Sequence, residues 1–409
     1  MSGEILFLAH RLPFPPDRGD RIRSHHILKA LAKIAPVHVG CFVDGEADLA
    51  HAGKLSRLAA SYCIARRAKP LWLSGAEALL RQEPVSLTAF GSGELADWTE
   101  NLLSSGRISA IYVFSGQMGQ FVPHDWAGRL VADLVDVDSA KFEAYARQAR
   151  FPKNWINARE GRLLARFEAQ LAARADHTLL VSEAEAQLLR SRAGDAGNIR
   201  ALGNGIDAAF FAPQAASSAA AINGEGPHFV FTGQMDYQPN IAAVQRMARA
   251  IMPGIRRVHP AAQFHIVGRA PTAAVRDLDG QNGVRVHGEV PDVRPFLAAA
   301  DVVVAPLTIA RGVQNKVLEA MAMARPVLLS PQAATGIDAQ DQRDFVIAAD
   351  DDEFIAKALD LVADRQLAAR IGLAAREFVI AHQGWSAMLA DLPGLMGLDG
   401  GAGDHRDVA

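Results

Sequence analysis

Short apolar runs recur through the first half of the chain at residues 5–9, 37–43, 110–114, 130–135 and 178–181, separated by longer stretches with helical spacing. Strands buried on both faces read as continuous hydrophobic runs, so this alternation predicts a parallel sheet covered by helices on two sides. After Pro213 the small-residue segment QAASSAAAINGEGP breaks the pattern and predicts a linker. A second series follows at 228–231, 263–267, 284–287, 302–306, 327–330 and 345–348. The region 352–388, which contains Trp385, reads as strongly helical and is placed to run back across the linker onto the first half.

The fold class that follows is α/β, with two Rossmann-like doubly wound domains and a cleft at their strand ends. The expected boundaries are a first domain over 1–212, a linker over 213–226 and a second domain over 227–375. A C-terminal helix over 376–395 is expected to pack back on the first domain, ahead of a flexible tail over 396–409.

Between the runs DVVVAPL and PVLLS lies RGVQNKVLEAMAMARP, residues 311–326, which predicts the loop and helix of one βαβ crossover. Asn315 is the expected N-cap, and Val317, Leu318, Ala320, Met321 and Ala324 supply the apolar stripe. Lys316 then falls in the first turn, where its charge adds to free N–H groups and the positive end of the helix dipole; together these favour a phosphate or diphosphate. Glu319, three residues on, is placed to accept hydrogen bonds from a ribose. Taken by themselves, the two residues fit a solvated ion pair on an amphipathic helix better than a ligand site.

Composition narrows the class without naming it. The chain has 409 residues, 50% hydrophobic and 21% charged, with a formal charge of −3, which suits a soluble two-domain protein and argues against a general nucleic-acid binder. Cys41 and Cys63 are the only cysteines; Cys41 lies in the apolar run VHVGCFV, so buried thiols in a reducing cytoplasm fit better than a disulfide or metal pair. The start, MSGEILFLAHRLPFP, lacks a positive leader and cleavage signal and reads as a first core strand. No run approaches the roughly 20 apolar residues of a membrane span, so any membrane contact is expected to be peripheral.

Three further segments carry candidate chemistry. The loop HRLPFPPDRGDRIR, residues 10–23, sets Arg11, Arg18, Arg21 and Arg23 against Asp17 and Asp20, with Gly19 allowing close backbone approach. It reads either as an anion or diphosphate site or as a solvated turn before a helix starting near Asp20. In VADLVDVDSAKF, Asp133, Asp136 and Asp138 alternate at a strand end, where they suit a base, a Mg²⁺ site or caps for the next helix, with Asp138 or Ser139 as N-cap. Residues 141–174 carry eight Lys or Arg against three Glu, interleaved with Phe142, Tyr145, Phe151, Trp155 and Phe167. That pattern fits contact with an anionic leaflet, or two helices with cationic outer and aromatic inner faces.

Several motifs in order resemble the retaining glycosyltransferases of family four, which have the GT-B arrangement. These are GNGIDAAFFAP near the linker, FTGQMDYQPN at 231–240, HIVG at 265–268, VHGEVPD at 286–292, and the stretch with Lys316 and Glu319. More narrowly, RLPFPPDRGDRIRSHHILKAL, DLVDVDSAKFEAYA, GQMDYQPN and ARGVQNKVLEAMA resemble sugar transferases associated with bacterial exosortase and exopolysaccharide gene clusters. The sequence departs from that family in three places. Arg311 stands where a Glu is usual, eight residues before Glu319; the loop 234–240 lacks the usual Arg and Lys; and no His is evident around Ser115-Gly-Gln117.

The resemblance implies an acceptor domain followed by a donor domain, and transfer of a sugar from a nucleoside diphosphate sugar with retention, in exopolysaccharide assembly. Lys316 and Arg311 are then the catalytic cations on the leaving diphosphate. Glu319, Gly19, Gly233, Gly268 and Asn315 bind the donor, and Asp133, Asp136 and His10 are acceptor-side or general-base candidates. No metal or cofactor is implied. The expected partners are the nucleotide sugar, a glycan or polyprenyl-diphosphate-linked acceptor, and an anionic membrane through 141–174, but no nucleic acid. The expected location is cytoplasmic, peripheral at the inner face of the plasma membrane. A nucleotide-sugar 2-epimerase, or a GT-B subunit that binds nucleotide sugar or carbohydrate without turnover, shares the architecture.

Overall fold

The structure, a computed structural model, describes residues 3–16, 19–194, 197–215, 222–310 and 313–398. It divides into two compact units, one taking the chain to Asn204 and again from Met388, the other comprising Gly205–Ala387.

The first unit holds a seven-stranded parallel sheet of β1 (Glu4–Ala9), β2 (Val37–Val43), β3 (Ser61–Arg66), β4 (Ile108–Phe114), β5 (Arg129–Val135), β6 (His177–Leu180) and β7 (Ile199–Ala201). Their spatial order is β3-β2-β1-β4-β5-β6-β7. The order reverses at β1 and β4, the position at which open α/β sheets bind ligands. Ile5 to Ala9 are all fully buried, as a central strand covered on both faces requires. Two expected features of this half differ. β3 and β7 add strands that the apolar pattern does not mark, because β3 is half-exposed and β7 has three residues.

The second unit holds a six-stranded parallel sheet of β8 (His228–Thr232), β9 (Gln263–Val267), β10 (Val284–Gly288), β11 (Val302–Ala305), β12 (Val327–Leu329) and β13 (Val346–Ile347). The order is β10-β9-β8-β11-β12-β13, with the reversal at β8 and β11. One apolar core runs from Phe229 and Phe231 through Leu318 and Met321 to Phe354.

The region 352–388 is helical, as expected, in several segments. It comprises Asp351–Ala363, capped by the Asp350 side chain, Arg365–Phe378, capped by Asp364, a π-turn at Val379–Gln383 and a short helix at Trp385–Met388. Trp385 is buried within the second unit, where the chain at Gly384 pairs with Ile206. Beyond it, the Leu392–Leu395 helix lies in the first unit against the Gly19–Ile34 helix. Cys41 and Cys63 are free and buried on neighbouring strands, and burial pushes the Cys63 thiol up to about 11. No helix among the described residues is long and apolar enough to cross a membrane.

Candidate active site

In the second unit, the helix after β11 spans Asn315–Ala322, with Val317, Leu318, Ala320, Met321 and Ala322 buried. Its apolar face packs on the sheet and so fixes the rotation of the first turn. Two expectations are corrected here. Gln314 occupies the N-cap position and Asn315 is the first helical residue, exposed to solvent. Ala324 lies past the helix end with φ 53°, a left-handed turn rather than part of the stripe.

Lys316 is half-buried and turned toward the C-terminal end of β8. Its ammonium donates to the Asn240 carboxamide oxygen and lies 4.6 Å from the centroid of the Phe231 ring. Asn240 is itself held by donating to the Gln234 carbonyl at 2.8 Å. Burial lowers the Lys316 amine to about 8, against the pull of Glu319. Burial also raises the Glu319 carboxyl to about 7, opposed by Lys316. A cation stripped of water beside a helix N-terminus is a strong partner for an anion.

Gly233 and Gly268 end β8 and β9 with φ of 154° and 155°. A Cβ on Gly233 would stand 2.9 Å from Asn240 Nδ2 and 3.3 Å from Lys316 Nζ, so glycine leaves room for the ammonium. A Cβ on Gly268 would lie 1.6 Å from the Gly233 carbonyl oxygen, so the fold itself requires glycine there. Arg269 follows it and donates to the Gln234 side chain at 2.9 Å. Arg311 lies outside the described residues.

In the first unit the loop after β1 differs from an open anion site, because its described arginines are engaged by carboxylates. Arg11 pairs with Asp20 at 2.7 Å and Asp44 at 3.2 Å, Arg21 with Asp48, and Arg23 with Asp133. Arg18 lies outside the described residues. Gly19 is the first residue of the Gly19–Ile34 helix, with open space where a Cβ would stand, so nothing there requires glycine. His10 stacks on Phe114 with ring centroids 5.7 Å apart and lies 3.4 Å from Asp20. That contact holds the Asp20 carboxyl well below its usual range, helped by Arg11 and opposed by burial.

Asp133 is not available as a base. It is fully buried, accepts from Arg23 Nε at 2.9 Å and from the Tyr112 hydroxyl at 2.8 Å, and so joins three structural elements. The expected cap is also different: Val137 holds the N-cap position of the Asp138–Gln148 helix, while Ser139 donates to Glu168 and Asp138 pairs with Lys141 at 2.8 Å. Asp136 is half-buried, and burial raises its carboxyl. Among the described residues no group of three or more His, Cys, Asp or Glu is placed to hold a metal ion. Ser115 and Val135 end the neighbouring strands β4 and β5 with φ of 75° and 69°, and Ser115 N–H bonds the Asp133 carbonyl. Strain of this kind collects where a fold supports a site.

The pattern of apolar runs did not point to Asn240, Phe231 or Arg269. Phe231 and Asn240 are covered instead by the motif FTGQMDYQPN, whereas Arg269 has only its position just after the end of β9, where doubly wound sheets bind ligands.

Residues 226–364 match the family model described as glycosyl transferases group 1. Comparison with curated protein sequences gives no match. Among solved structures, HepE from Anabaena in complex with UDP and glucose is similar at TM-score 0.59 and 16% identity, over 97% of this chain and 99% of that one. Sucrose-phosphate synthase from Thermosynechococcus elongatus is similar at TM-score 0.59 and 18% identity, over 96% and 98% of the two chains. WaaG, a glycosyltransferase involved in lipopolysaccharide biosynthesis, is similar at TM-score 0.53 and 16% identity, over 96% and 100%. The two parallel α/β domains thus form a Rossmann-like GT-B fold, and the family match supports a glycosyltransferase.

Proposed function

We propose that the protein transfers a sugar from a nucleoside diphosphate sugar to a glycan acceptor, with retention at the anomeric carbon. The observation that carries this reading is the Lys316 ammonium, desolvated, oriented by Asn240 and set at the N-terminus of the helix after β11. As the glycosidic bond breaks, charge accumulates on the leaving diphosphate. A fixed cation therefore stabilises the transition state more than the ground state. Glu319 holds the ribose, and Gly233 and Gly268 let the donor approach the strand ends. Asn315, exposed in the first turn, faces the same donor. Arg269, on the neighbouring loop after β9 and tied to Gln234, supplies the cation that the segment 234–240 lacks. Arg311 shares the charge of the leaving group. The diphosphate accepts the proton of the incoming hydroxyl, so the scheme needs no metal or cofactor.

UDP in the HepE structure and the lipopolysaccharide role of WaaG make UDP-sugars and a lipid-linked glycan the first donor and acceptor to assay. His10 and Asp136 belong to the acceptor side. The setting is exopolysaccharide assembly of the kind associated with exosortase gene clusters, at the cytoplasmic face of the membrane with 141–174 toward an anionic leaflet. The test is transfer from a panel of UDP-sugars to a lipid extract, with the product's anomeric configuration read by NMR. Transfer with retention supports the reading. Nucleotide release without any acceptor would replace it with epimerisation, and donor binding without turnover would replace it with a binding subunit.

A further inference from the structure

The helix Leu71–Arg81 in the first unit has its amphipathicity reversed. Ser74 and Ala78 are its buried residues, whereas Trp72, Leu73, Leu79 and Leu80 face solvent, Trp72 with 74% and Leu80 with 87% of its surface exposed. Together with Ala76 these positions form one outward stripe without a charged residue. Leaving that much contiguous apolar surface in water is unfavourable, and surfaces of this kind mark interaction sites.

The stripe continues onto the Lys153–Arg174 helix. Leu79 and Trp155 line one depression of about 340 Å³, and Arg159 ties the two helices by donating to the carbonyls of Ala78 at 2.7 Å and Glu83 at 3.2 Å. Phe151, 81% exposed, and Ile156 extend the apolar face. Arg162 and Arg166 line the same depression, and both guanidinium groups are exposed without an ion pair or hydrogen bond to any described residue. An uncharged aromatic and leucine surface bordered by uncommitted arginines complements an anionic bilayer, with acyl chains at its centre and phosphates at its rim. The aromatics of 141–174 therefore do not all face inward: Tyr145, Phe151 and Trp155 are exposed.

We infer that the Leu71–Arg81 helix and residues 151–156, which lead into the Lys153–Arg174 helix, insert into an anionic leaflet, with Arg162 and Arg166 bound to lipid phosphates. This deepens the peripheral placement proposed above and rests on it only for the presence of a bilayer. The assay contains no donor, so its failure leaves glycosyl transfer standing, and loss of transfer leaves it standing in turn.

The full chain is floated with phosphatidylcholine vesicles, and with vesicles holding about 30 mol% phosphatidylglycerol, at low and high salt. The chain is expected to float with the anionic vesicles and to show a blue shift in tryptophan emission, diminished in Trp72→Phe, which still binds. Leu80→Glu is expected to weaken binding at least about tenfold. Arg162→Glu and Arg166→Glu each weaken it roughly fivefold or more, and only on anionic vesicles. These positions are exposed, and unchanged circular dichroism checks the fold. No flotation of the wild type, or flotation unchanged in Leu80→Glu, overturns the inference. Self-association abolished by Leu80→Glu without vesicle binding overturns it in favour of a second copy on this face.

Discussion

Arg23 and Asp133, 110 residues apart, form a two-pronged ion pair with Nε to Oδ2 at 2.9 Å and Nη2 to Oδ1 at 3.2 Å, both side chains almost wholly buried. The remaining Arg23 nitrogen donates to the carbonyls of Leu202 and Gly203 and to the Asn204 side chain. The pair thus fastens the Gly19–Ile34 helix to β5 and to the end of the first unit. Asp133→Ala leaves a buried guanidinium without its counter-ion and is expected to cost about 3–5 kcal/mol of stability. Urea unfolding checks this, and a variant as stable as the wild type would return Asp133 to the list of candidate bases.

Lys316→Ala is expected to lower turnover by about 10²-fold, the scale of one lost oxyanion donor, with unchanged circular dichroism. Asn240→Ala keeps the charge and removes its orientation, so kcat is expected to fall by roughly tenfold to a hundredfold while donor KM changes less. Lys316→Arg recovers part of the activity if charge is what matters. Wild-type turnover in Lys316→Ala would remove the residue from the mechanism.

Most strands are legible in the sequence because a central parallel strand has two buried faces and reads as an unbroken apolar run; β2 and β9 fall where the runs place them. β3 is not legible, since its half-exposed residues, Tyr62 among them, leave no such run. Lys316 and Glu319 are legible because a helix puts residues three apart on one face. Asn240 is not, since it reaches Lys316 across 76 residues of chain through sheet order rather than local spacing. The same reason explains the N-terminal arginines: four cations in one loop suggest an anion site, but Arg21 and Arg23 meet carboxylates 27 and 110 residues away.

The paired shifts of Lys316, lowered to about 8, and Glu319, raised to about 7, make a pH prediction. Lys316 is protonated below its value, and Glu319 is ionised above its own. If diphosphate binding needs the cation and ribose binding needs the carboxylate, kcat/KM falls on the alkaline side above about 8 and on the acid side below about 7. Bound diphosphate adds negative charge beside the ammonium, so the alkaline limb of kcat lies at higher pH than that of kcat/KM. In Lys316→Arg the alkaline limb disappears from the accessible range. A flat wild-type profile from roughly pH 6 to 9 would mean that neither group titrates in the reaction.

Glu168 gives the first unit a pH dependence of its own. Burial raises its carboxyl to about 7, opposed by two hydrogen bonds from Ser139 and by the charge of Arg192, while Asp138 raises it further. Arg192 is drawn off by Glu143 at 2.9 Å, which leaves the Glu168 charge only partly compensated. The folded pKa lies above the unfolded one, so the folded state binds the proton more tightly. Its contribution to stability is therefore full below about pH 4.5 and is lost as pH rises through about 7. The loss is on the order of 3 kcal/mol at most. Glu168→Gln keeps the shape and cannot ionise, so between pH 5 and 8 its urea midpoint is expected to fall less than that of the wild type. Parallel midpoints for the two proteins across that range would show that Glu168 is already ionised in the folded state at pH 5.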